Sequence, residues 1–424
     1  MDALTRYFHL VSASNNLKPR MPLIVLVALA WALVVDVPTG IGLGPLSLSG
    51  AATLGVAALL VLASPLLVTT KGRNTLPVGA DGGHEPYMTG RFDDRALPIA
   101  MTLFAVAAIA LLALSPNTDG LQNVAVYVLF IASIPITAAL CSQGTADATL
   151  KWLRRIAITV GAVTAGQSLV GVELYGPRSA ALILVVFVGV TLVMPKHNWF
   201  DRALPFLLVA ACALTLSRTA MFVAAILIPI SYLFTAKRNG AVKVLAAAIP
   251  MLYLMYVLVT TWAPLRDRFL EGDNAYSAGG LDLNTSGRTV LWEMTTDSWL
   301  QSPLLGNGPG SASAMISARF DNIAHPHNEY LRILHDFGII GFAPFAIGLI
   351  MITVAIWKRA RQLPGAIHKA AVLSLLGVLA VAFTDNVLIY PFVMVPVGVM
   401  VGLSMAHPLP KAATATATRD SVSA

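Results

Sequence analysis

Two histidines one residue apart stand in the run Ala324-His325-Pro326-His327-Asn328-Glu329-Tyr330-Leu331. A neutral imidazole with a pKa near working pH is suited to taking a proton from a hydroxyl. His327 opens what reads as the N-terminus of an apolar helix, in a polar neighbourhood with Arg332 and Asp336, so it is the candidate general base. A histidine at a membrane surface is more often a satisfied polar anchor, and His325 beside it leaves open which imidazole acts. Metal ligation is the weaker reading: no further Cys or His stands at a ligand spacing, and only Asp321 and Glu329 are close. The other chemistry-bearing type is arginine. Arg218 sits in Ser217-Arg218-Thr219 at the break in a long apolar stretch, where a charge costs several kcal/mol, on the order of 3 on insertion scales, and usually marks a ligand or ion path. The bland alternative is snorkelling, or pairing with Asp385 or Glu173. Arg288 would lie in the first turn of a helix from about 287 to 300, capped by Thr285 or Ser286, where backbone amides and a guanidinium fork can hold one anion together. Arg178, beside Gly176-Pro177, is a weaker candidate for the same anion. Asp385-Asn386 could orient an arginine or the base, or simply form the polar tip of a hairpin.

The elements that must position these groups are membrane helices. Of the 424 residues, 57% are apolar and only 12% charged, about half the charge of a soluble domain, which excludes a soluble globule. Twelve apolar segments of spanning character are expected near 22–38, 51–68, 97–114, 122–140, 155–172, 179–194, 203–216, 218–235, 242–262, 336–357, 370–386 and 388–406. The polar start with Arg6, Lys18 and Arg20 has no small-residue cleavage pattern after it, so the first segment is read as a retained span. The expected organisation is nine spans over 1–262, a periplasmic loop with short helices over 263–335, three spans over 336–406, and a disordered cytoplasmic tail over 407–424. The two cysteines, Cys141 and Cys212, offer no disulfide framework. Net charge is +7, which basic loops on one membrane face can supply without any nucleic-acid role. With both termini cytoplasmic, 21 of the 28 basic residues lie inside, and all nine lysines are among them. The seven on the other face are Arg178, Arg218, Arg266, Arg268, Arg288, Arg319 and Arg332, a mild pointer to anion handling there.

The turn-rich piece Leu305-Gly306-Asn307-Gly308-Pro309-Gly310 lacks the flanking strand and helix of a nucleotide-binding loop. It is read as a tight bend, with close backbone approach to a ligand as the secondary possibility.

Taken together, the residues resemble the O-antigen ligase and polymerase family of bacterial envelope assembly. The carrying motif is His327-Asn328, nine residues, then Gly338-Ile339-Ile340-Gly341. Ser217-Arg218-Thr219, Ser286-Gly287-Arg288 with Trp292, and the 306–310 turn support it, as does a long periplasmic loop ahead of the tenth of twelve spans. The resemblance implies an all-α polytopic membrane protein similar to the GT-C class. It further implies a metal-independent glycosyltransferase in the inner membrane that needs no cofactor. Such an enzyme moves polysaccharide from undecaprenyl diphosphate to a sugar hydroxyl of the lipid A-core acceptor on the periplasmic side. Carried over by position, His327 would activate the acceptor hydroxyl, and Arg218 and Arg288, with Arg178 as a weaker member, would hold the diphosphate. His325, Asn328 and Asp385 would be supporting residues. The nearest alternative is an O-antigen polymerase using the same donor, with protein O-oligosaccharyltransferases as a third branch. From another class, a twelve-span transporter or lipid-linked sugar flippase would show two related halves and polar residues at midplane.

Overall fold

A computed structural model describes residues 29–31, 42–43, 46–47, 50–58, 97–140, 143–171, 176–235, 239–271, 276–278, 281–321 and 323–407. Most of the expected first span, much of the second, the basic residues around them, Cys141, Glu173 and most of the tail lie outside the described residues. The described chain is almost wholly helical, with two short antiparallel hairpins, β1 (Gly42–Leu43) with β2 (Leu46–Ser47), and β3 (Tyr276–Ala278) with β4 (Leu281–Leu283). The helices before the loop are α1 (Ile99–Leu114), α2 (Thr118–Leu140), α3 (Gln143–Val170), α4 (Pro177–Val193), α5 (Trp199–Leu214), α6 (Arg218–Thr235) and α7 (Gly240–Thr261). Then come α8 (Ala263–Leu270), α9 (Arg288–Leu300) and α10 (Ser311–Ser317), followed by α11 (Glu329–Gln362), α12 (Ala366–Val381) and α13 (Pro391–Met405).

Ten of the twelve apolar segments thus coincide with helices. Among the described residues three helices, those beginning at Thr118, Gly240 and Glu329, are long and apolar enough to cross a membrane, and five shorter ones are strongly apolar. The apolar break at Ser217 does separate two helices, α5 and α6, as the arginine there suggested.

Which helices are central follows from which are apolar all round. In α13 every residue from Pro391 to Met405 is buried, and in α4 every residue from Ala180 to Thr191. α4 packs on α12 and α6, and α13 packs on α2. There Gly402 brings the backbone so near α2 that an added Cβ would lie 2.5 Å from the carbonyl oxygen of Ile134, the small-residue approach common between membrane helices. At the periphery α7 leaves Leu245, Ile249, Leu252 and Tyr253 exposed, an apolar face that only lipid or another protein would cover.

The tenth apolar segment begins earlier than hydropathy indicated. Helix α11 starts at Glu329 because the Asn328 side chain accepts from the Leu331 amide at 3.1 Å and caps it. Its first turns hold Glu329 and Arg332, fully buried, ion-paired to each other, with Arg332 donating to the Tyr127 hydroxyl at 2.7 Å. Gly338 breaks the helix, and the part from 339 to 362 reaches roughly 36 Å at about 1.5 Å per residue, still more than the ~30 Å hydrocarbon core. Arg359, near its far end, therefore stands about a membrane's thickness from the break at Gly338.

Candidate active site

Three helix starts and one helix end meet at a single place. The Glu329 amide donates to the Ala382 carbonyl at 2.9 Å, and the Tyr330 hydroxyl to the Leu379 carbonyl at 2.7 Å, so the start of α11 is fastened to the end of α12. The hydroxyls of Thr219 and Thr384 meet at 2.6 Å and bring in the start of α6. Asp385 and Asn386, in the turn after α12, are buried at 3% and 0% exposure.

Arg178 lies in the first turn of α4, just after Pro177, a residue suited to the first helical position. Its Nε donates to both Asp385 carboxylate oxygens, at 2.8 and 3.1 Å, and its Nη2 donates to Oδ1 as well. The same Nη2 reaches His327 Nδ1 at 2.6 Å, and Asn386 Nδ2 reaches that nitrogen at 3.1 Å. Asp385 therefore orients an arginine, and Asn386 faces the imidazole.

His327 has φ 56°, a left-handed conformation uncommon for a residue with a Cβ. Such strain persists only where neighbours over-determine it. Here the indole Nε1 of Trp292 on α9 donates to the Pro326 carbonyl at 2.8 Å, and Asn328 is committed to capping α11. Trp292→Phe, which keeps the ring and removes that one donor, is expected to lower turnover about threefold to tenfold, an effect of about 1 kcal/mol. Steady-state rates at matched protein levels measure it.

Both groups against His327 Nδ1 are N–H donors, so this nitrogen accepts and the neutral ring carries its proton on Nε2. Burial, then the positive charges of Arg178 and Arg288, then His325, push its pKa down to about 3. His325 is held down to about 4 by burial first and then by Arg332 and Arg178. Its Nδ1 meets the Ser313 hydroxyl on α10 at 2.9 Å. The structure thus separates the two histidines: His327 faces the arginine and Asp385-Asn386, and His325 braces a loop helix.

Arg218 donates to the carbonyls of Arg268, at 3.0 Å, and Asn284, and to the Ser286 hydroxyl at 2.6 Å, with its guanidinium 5.4 Å from the centre of the Phe269 ring. The carboxylate that was one expected partner, Asp385, is taken by Arg178. Arg288 begins α9 after Ser286 and Gly287, both at positive φ. Gly287, rather than Thr285 or Ser286, occupies the N-cap, and the Thr285 hydroxyl meets that of Thr289 in the first turn at 2.9 Å. The Arg288 Nε is buried and has no hydrogen-bond partner among the described residues. Burial lowers its pKa to about 10; Asp385 opposes the shift, and the charges of Arg218, Arg178 and Arg268 add to it. Mutual repulsion of these cations would be relieved by an anion among them, and a guanidinium fork suits a diphosphate.

Two expected neighbours of the base serve other ends. Arg332 is ion-paired to Glu329 and donates to Tyr127 through Nη2, and its buried Nη1 has no hydrogen-bond partner among the described residues. Asp336 accepts from the Gly310 and Ala312 amides at 2.9 and 3.0 Å, and so holds the start of α10. The 306–310 turn is a bend against the protein's own backbone, as its tight-turn reading required: Asn307 and Gly308 amides donate to the His335 and Asp336 carbonyls at 2.9 and 3.0 Å. Asn117 closes it, donating to the Pro309 carbonyl at 2.6 Å. Among the described residues no group of three or more His, Cys, Asp or Glu side chains could hold a metal ion. Asn386 is the participant that sequence reasoning left without a definite role; its only sequence signal was its place beside Asp385.

Residues 203–346 match a family model described as O-Antigen ligase. Arg218, Arg288, Trp292, His327-Asn328 and the glycines at 338 and 341 fall within the match, and Arg178, Asp385 and Asn386 fall outside it. The family is glycosyltransferase-like, and the match supports ligase- or polymerase-type function in general. No curated protein matches the chain.

Proposed function

We propose that this chain, a membrane protein carrying an O-antigen ligase domain across residues 203–346, transfers a finished polysaccharide from undecaprenyl diphosphate to a sugar hydroxyl of lipid A-core oligosaccharide at the periplasmic face of the inner membrane. The observation that carries the reading is the convergence of Arg178, Arg218 and Arg288 on the side of the molecule where His327 lies, with the buried Arg288 Nε lacking a partner. In the reaction the acceptor oxygen attacks the anomeric carbon, the bond from that carbon to the phosphate oxygen breaks, and undecaprenyl diphosphate leaves. Negative charge grows on the leaving diphosphate, where preorganised guanidinium donors stabilise it most. The acceptor proton passes to His327, and no metal is needed for either step. A twelve-span GT-C-type arrangement with both termini cytoplasmic completes the proposal.

Reconstitution with undecaprenyl-linked polymer and lipid A core tests it. Product on the lipid A core is expected, with the rate in a strong chelator within about twofold of the untreated rate. Lengthened lipid-linked polymer instead would make the protein a polymerase with the same donor; no transfer to either acceptor, with movement of intact donor across the bilayer, would make it a flippase. Orientation is read by thiol labelling: a cysteine engineered at Asp282 is labelled from the periplasm and one at Arg359 from the cytoplasm, and the opposite pattern removes the site from the side where the donor waits.

A further inference from the structure

A base that accepts two hydrogen bonds through Nδ1 carries its proton on Nε2 and has no lone pair to offer there. His327 is in this condition, since Arg178 Nη2 at 2.6 Å and Asn386 Nδ2 at 3.1 Å both donate to Nδ1. The Asn386 amide is held this way round by Arg178: with the guanidinium forcing Nδ1 to accept, an amide oxygen at the same place would set two lone pairs against each other. The consequence is an orphan, for Asn386 Oδ1 is buried without a hydrogen-bond partner among the described residues, in a side chain with no exposure. A buried acceptor left unpaired is costly and asks for an explanation.

We propose that Asn386 is a positioning residue that switches His327 from a capped to a basic tautomer, by turning its amide when Arg178 leaves the imidazole for the donor diphosphate. The proposal rests on the transfer reading above. Once the guanidinium swings to phosphate oxygen, Nδ1 no longer has to accept. Nδ1 takes a proton from water while Nε2 gives one up to water, leaving the ring neutral. Oδ1 of the turned amide accepts from Nδ1–H, and the orphan acquires its partner. The Nε2 lone pair then takes the proton of the acceptor hydroxyl as its oxygen attacks. The base is thereby available only with donor in place, which keeps the activated diphosphate linkage from being met by an acceptor before it is held. The charged groups that act on His327 are Arg178, Arg288 and His325, with Asp385 acting through Arg178.

Asn386→Leu and Asn386→Asp separate this role from simple packing, with His327→Ala as the control, all assayed at saturating donor. Asn386→Leu is expected to lower kcat on the order of 10- to 100-fold and to leave the KM for donor within about threefold. Asn386→Asp, nearly the same shape and able to accept from Nδ1–H permanently, is expected to keep kcat within about tenfold of wild type. Because a carboxylate there favours the imidazolium, its acid limb of kcat against pH should move up by on the order of one unit. In ¹⁵N spectra of histidine-labelled protein, with the His327 signals assigned by difference from the alanine variant, Nε2 should be protonated without ligand and Nδ1 protonated with undecaprenyl diphosphate. Wild-type kcat in Asn386→Leu, an unmoved acid limb in Asn386→Asp, or one tautomer in both spectra overturns the switch. Full transfer by His327→Ala instead overturns the transfer reading itself, whatever Asn386 does.

Discussion

His327→Ala lowers kcat by on the order of 10²- to 10⁴-fold, the usual worth of a positioned base, while undecaprenyl diphosphate still binds and the protein remains inserted. The expectation follows from the division of labour at the site. In the proposed reaction Arg178, Arg218 and Arg288 hold the donor, and the first two do not need the imidazole to hold their own contacts: Asp385 orients Arg178 and the loop carbonyls Arg218. The acceptor's proton, by contrast, passes in that proposal to His327 alone. The pH dependence carries a sign. His327 must be neutral to work, so rate is lost as pH falls through its pKa. That value is about 3, set by burial and by Arg178 and Arg288; a bound diphosphate would offset those charges and raise it toward the ordinary value of about 6.5. The acid limb of kcat should therefore lie above pH 3, and removing the Arg288 charge should move the pKa of His327 upward too. A His327→Ala enzyme with kcat within threefold of wild type, or a kcat profile that is flat down to pH 4, would sink the assignment. The same shift weakens folding as pH falls below about 6.5, since the unfolded chain binds a proton that the buried ring refuses.

Much of this site was legible because arginine in an apolar setting is expensive and therefore conspicuous. Arg218 was visible as a charge between two apolar helices, Arg288 as a basic residue opening a loop helix, and His327 as an imidazole at a helix start. What the sequence withheld was which partner each would take. Asp385 stood as a possible partner for Arg218, yet α4 and α12 pack side by side and deliver it to Arg178, a pairing 207 residues apart that no local pattern encodes. The separation of His325 from His327 likewise depends on Ser313, brought up by a loop helix whose start is set by Asp336. Helix boundaries at the site were off where backbone conformation rather than hydropathy decides. The capping asparagine moved the start of α11 from about 336 to 329, and the left-handed Ser286-Gly287 pair displaced the cap expected for α9.

Gly338 joins the family motif to the geometry around His327, and Gly338→Ala is expected to be the most disruptive small substitution in the loop's support. The residue interrupts α11 with φ 59° and ψ −171°, a region nearly reserved for glycine. A Cβ there would lie 2.2 Å from the Leu304 carbonyl oxygen, 2.4 Å from its carbon and 2.5 Å from the Gly306 nitrogen. All three are backbone atoms, so no rotamer can give way. Retreat of the 302–308 turn would break the bonds that hold it to α11, Ile339 amide to Pro303 carbonyl at 2.9 Å and Ile340 amide to Leu304 carbonyl at 3.1 Å, together with those from Asn307 and Gly308 to His335 and Asp336. Overpacking, backbone strain and lost hydrogen bonds together cost at least about 4 kcal/mol, in the range that marks exceptional substitutions. Gly287→Ala supplies the comparison, since φ is also positive there but nothing lies within 4 Å of its Cβ; only the left-handed strain of about 1 kcal/mol remains. Thermal unfolding in detergent should show a fall for Gly338→Ala several times that for Gly287→Ala, with early protease cutting between 302 and 321. Equal melting of the two variants would mean that the turn is free to move away from α11. The motif glycine would then owe its place to the ligand side of the loop, and the lever that Asp336 and α10 apply to His325, next but one to the base, would lose its fulcrum.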